Sequence, residues 1–190
     1  MSSSRFEEIA RLLDKTERNL KRIERIDDSF VSFAINEWRY ATRHIVTYMQ
    51  TGSAEEECKV VGHLKRAYFD SNEVLLDGLL DRIAKFESLF RGYSGIVSAV
   101  VPGFKEAYLK VWDAKEKLSK AQSYDSESRE VKYDSLEPYC DALESFVENL
   151  EKSRNAWQDD IRVQKRRDRM PIIWSAIGIA VSIILAIVFT

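Results

Sequence analysis

Pro171 to Thr190, PIIWSAIGIAVSIILAIVFT, contains no charged residue, and its only polar side chains are Trp174, Ser175, Ser182 and Thr190. A helix rises ~1.5 Å per residue, so the run from Ile172 onward predicts a rod of about 28 Å, close to the roughly 30 Å hydrocarbon layer of a bilayer. On this reading the chain ends in a single transmembrane helix, and the residues before it form a separate unit.

The flanks extend that expectation. Arg162, Lys165, Arg166, Arg167 and Arg169 precede the run and are opposed only by Asp168. Positive charge stays on the cytoplasmic side, which predicts a tail-anchored, single-pass membrane protein with its N-terminal domain cytoplasmic and its C-terminus across the membrane. The N-terminal MSSSRFEE has no apolar core of the kind a secretory signal needs. The same basic cluster is suited to anionic headgroups, at ~1 kcal/mol per base. Within the run, Gly178, Ser182 and Ala186 recur every four residues, a spacing of small side chains that lets two helices pack closely and predicts self-association. The domain plan is therefore residues 1–161 as a cytoplasmic helical unit, 162–170 as a basic juxtamembrane segment and 171–190 as the anchor.

The chain has 29 Lys and Arg against 31 Asp and Glu; because 162–169 hold five of the bases and one of the acids, residues 1–161 carry −6. A nucleic-acid partner needs a basic face, so that partner class is not expected. Seven Gly, three Pro and apolar residues spread evenly predict one all-α domain. Cys58 and Cys140 have no metal-ligand or CxxC spacing, and both read as small buried residues in a reducing compartment.

Helical periodicity runs from Phe6 through Ile9, Leu13, Leu20, Ile23, Phe30, Ala34, Trp38, Ala41 and Ile45 to Tyr48, after a capping box of Ser4 and Glu7. The register slips at Asp27 and Asp28, but the simplest expectation is one long helix up to Gly52. Ser53 and Glu56 offer a second capping box for a helix carrying Val61, Leu64, Tyr68, Leu75, Leu79, Ile83, Phe86 and Phe90. A third helix, with Phe104, Tyr108, Val111 and Leu118, starts either near Ile96 with a kink at Pro102 or only after Gly103. Residues 123–133 read as a linker. A fourth, opened by Asp134 or Ser135 with Pro138 in its first turn, carries Leu136, Leu143, Phe146, Leu150, Trp157 and Ile161 toward the basic cluster. Short connections between long helices predict an antiparallel up-down bundle of about four helices.

No motif for metal binding, phosphate binding or nucleophilic catalysis occurs, and neither a metal nor another cofactor is expected. His44 and His63 are the two histidines. Arg39-Tyr-Ala-Thr-Arg-His44 resembles the Arg-x4-His signature of the HEPN superfamily, all-α domains many of which are ribonucleases that use the Arg and His at a dimer cleft. The resemblance covers six residues, and Tyr40 stands where a polar residue is usual. It implies a nuclease role for Arg39 and His44.

Folding the first two helical stretches about Gly52 brings the level of Glu37, Arg39 and His44 against that of His63, Arg66 and Asp70. Such a polar cluster fixes the register of a helix pair, because an unsatisfied buried polar group costs ~1–3 kcal/mol. The sequence thus predicts a tail-anchored interaction or scaffolding module at a membrane surface, with the lipid bilayer and either a protein partner or its own copies as partners. The alternative is a HEPN-like ribonuclease or a ligand-sensing effector using the polar cluster.

Overall fold

A computed structural model describes residues 3–26, 32–123 and 133–180, and follows the last helix as far as Val188. The described residues are all-α: α1 (Ser3–Ile26), α2 (Ser32–Thr51), α3 (Ala54–Leu89), α4 (Ser94–Val100), α5 (Phe104–Gln122), α6 (Glu137–Lys152) and α7 (Arg154–Val188).

The 36-residue α3 is the element on which α1, α2, α5 and α6 pack. Side-chain pairs give the directions. Lys15 meets Tyr68, Asn19 meets Asn72, and Arg82 donates to the carbonyl of Ile26, so α1 runs alongside α3 in the same sense. Glu37 meets His63 while His44 meets Glu56, so α2 runs the opposite way. The single long helix expected from Phe6 to Tyr48 is therefore two helices. Asp27 and Asp28, where the periodicity slips, lie outside the described residues, and helix direction is reversed between Ile26 and Ser32. Gly52, at φ +66°, closes α2 by donating to the carbonyl of Tyr48 at 2.8 Å, a left-handed position that glycine occupies without strain.

α6 follows α3 in parallel, with Tyr68 donating to Glu137 at one end and Arg82 paired to Glu151 at the other. α5 returns antiparallel, Phe104 lying against Phe90 and Gln122 donating to Glu73. Of the two starts open for the third helix, the chain uses both: α4 is a short helix, and α5 begins after Gly103. Val97 and Val101 are buried in the core. Cys140 is buried as expected, its thiol pushed up to about 12 by burial, whereas Cys58 is exposed. Where α3, α5, α6 and α7 meet, Phe86, Phe90, Phe104 and Phe146 are arranged edge to face around Trp157 and one another. The Trp157 indole donates to the carbonyl of Leu150 across the Ser153 break between α6 and α7.

A polar layer crosses this core. Asn19 donates to Ser71 and Asn72, and Tyr68 and Lys15 converge on Glu137. Arg22, its side chain 8 % exposed, lies 2.9 Å from Asp141 and 2.8 Å from Glu144. The pairs of this layer set the register of α1 against α3 and α6, although Arg22 Nε and Asn72 Nδ2 are buried without a hydrogen-bond partner.

The transmembrane, tail-anchored reading is corrected: among the described residues no helix is long and apolar enough to cross a membrane. α7 is long, but its Arg154–Arg169 part is strongly charged. Residues 181–190 lie outside the residues whose side chains are described. The assignments that depended on a span, namely single-pass membrane localisation, a cytoplasmic N-terminal domain and a scaffold tied to the membrane, are withdrawn with it.

Candidate functional site

α2 and α3 bring most of the expected polar cluster together. Glu37 and His44 are seven residues apart and share the face of α2 that looks at α3; His63 and Arg66 answer from α3. His63 Nδ1 lies 2.7 Å from Glu37 Oε2, and Arg66 Nε donates to the same oxygen at 2.9 Å. An ionised carboxylate only accepts, so the ring proton sits on Nδ1. Arg66 Nη2, 2.8 Å from that nitrogen, is then a donor facing a donor, and the carboxylate is what holds the guanidinium.

A second pair repeats the arrangement. His44 Nδ1 is 2.6 Å from Glu56 Oε2, while Lys59 donates to Oε1 of the same carboxylate at 2.8 Å. The two imidazoles stack, centroids 5.1 Å apart and planes within 10°, and Tyr40 tilts against His63 at 5.4 Å. Burial raises the Glu37 carboxyl, but the hydrogen bonds from His63 and Arg66 outweigh it and hold the group below its ordinary value. Glu56 is held low by Lys59 and then His44.

Glu56 and Lys59 were not legible as cluster members. The sequence gives Glu56 an equally good local role as the far half of a capping box. Ser53 does stand at the N-cap of α3, but it makes no side-chain cap hydrogen bond, and Glu56 reaches across to α2 instead. A pattern that places an acid three residues after a serine does not reveal a histidine waiting on the neighbouring helix.

Arg39 is outside the cluster. Five residues separate it from His44, about 140° around the helix at 100° per residue, and its guanidinium is exposed, donating to Asn36. The pairing implied by the HEPN resemblance is therefore not assembled within one chain. Asp70 stands half-buried one turn beyond Arg66. Two nearly parallel rings cannot aim in-plane lone pairs at one ion, and among the described residues no group of three or more His, Cys, Asp or Glu is placed to hold a metal.

The basic segment is exposed at Arg162, Lys165, Arg166, Arg167 and Arg169; Arg162 pairs with Asp159, and Lys165 lies over the Tyr93 ring at 5.4 Å. Gly178 is exposed with nothing within 4 Å of a Cβ added there, and Ser182 and Ala186 lie outside the residues whose side chains are described.

A surface feature without a motif lies on α5. Its inner face buries Phe104, Val111, Ala114, Leu118 and Ala121, yet Leu109 and Trp112, one turn apart on its outer flank, are 68 % and 65 % exposed. Beside them a groove of about 430 Å³ runs between α4 and α5, lined by Gly95, Ser98, Phe104, Lys105, Tyr108 and Leu109. Comparison of the chain with protein-family models, curated proteins and solved structures finds no match.

Proposed function

We propose that the chain is a helical interaction module: residues 1–161 form an antiparallel up-down bundle that serves as a rigid support, and the outer flank of α5 is the surface a protein partner or a second copy uses. The observation that carries this reading is the exposure of Leu109 and Trp112 on a helix whose other face is fully committed to the core. Tryptophan is the side chain that most often dominates binding energy at interfaces, and placing one in water beside a groove costs solubility without any gain to the fold. The His44–Glu56 and His63–Glu37 pairs support the module from the side by fixing α2 on α3.

The test is photo-crosslinking of the full-length protein in its native cells, with benzoylphenylalanine at position 109 or 112 and, as a control, at exposed Glu24 on α1. A discrete adduct from 109 and 112 but not from 24 is the expected result. An adduct of twice 22.0 kDa identifies a second copy, and any other discrete mass a different partner. Absence of an adduct specific to the α5 positions overturns the reading.

A further inference from the structure

We draw no further inference here: the strongest candidate, the groove between the last turn of α1 and the middle of α3 in which Ile23, Ile26, Val74 and Gly78 lie beside Asp77 and Asp81, is a cluster of acidic side chains with nothing else among the described residues to point to what would bind there.

Discussion

The two halves of α3 are held by different physics. Toward its C-terminus, Leu75, Leu76, Leu79, Ile83 and Phe86 are large, apolar and nearly inaccessible, and Phe86 and the capping Phe90 pack edge-on against Trp157. Toward its N-terminus, α2 contributes two fully buried residues, Ala34 and Ala41, and its remaining grip comes from half-buried Trp38 and Ile45 together with the two histidine–carboxylate pairs. Dispersion and water exclusion are roughly proportional to area and tolerate small shifts, whereas hydrogen bonds at 2.6–2.9 Å exist at one register only. The first half supplies cohesion, and the second supplies alignment.

The largest expected effect falls on the apolar half. Trp157→Ala removes the ring around which Phe86 and Phe90 are packed and should cost about 3–5 kcal/mol, measured as a fall in thermal midpoint seen equally by far-UV and near-UV circular dichroism. A change below about 1 kcal/mol would show that the aromatic cluster is not the source of cohesion in that half.

A smaller and local effect is expected in the polar half. His63→Ala leaves Glu37 with Arg66 alone and removes the stack with His44, costing about 1–2 kcal/mol. Amide exchange in α2 should quicken roughly tenfold while exchange in α6 is unchanged. Equal acceleration in both helices would mean that the two regions unfold as one unit and the contrast between them is wrong.

The smallest effect concerns pH. Glu37 has a folded value below its ordinary 4.5, so its contribution is present above that value and is lost as pH falls through the lower folded one. Glu37→Gln should therefore be less stable than the parent protein near neutral pH, and the gap should narrow as pH falls below 4.5 and close once the lower folded value is passed. A gap independent of pH would show that the charge of Glu37 contributes nothing to docking α2.

Much of this arrangement was legible beforehand. Glu37, His44, His63 and Arg66 could be placed together because helical spacing and a turn at Gly52 fix which levels of two helices meet. Glu56 was hidden by its local role, since nothing in a linear pattern ranks a capping bond against a partner on another helix. The separation of Arg39 from His44 follows from 3.6 residues per turn, but the HEPN resemblance drew attention to the motif rather than to the angle. Leu109 and Trp112 carry no sequence signal, because an apolar residue on a helix flank reads the same whether a neighbour covers it or not.

The sequence by itself determined that the described chain is helical, that Gly52 and Gly103 bound helices, and which residues of α3, α5 and α6 are apolar enough to be inside, since these depend on local periodicity and composition. Only the tertiary structure decided that α1 and α2 run in opposite senses along α3, that Glu56 abandons its cap for His44, and that a groove opens between α4 and α5. Those outcomes turn on distances between residues far apart in the chain, which spacing along one helix does not encode.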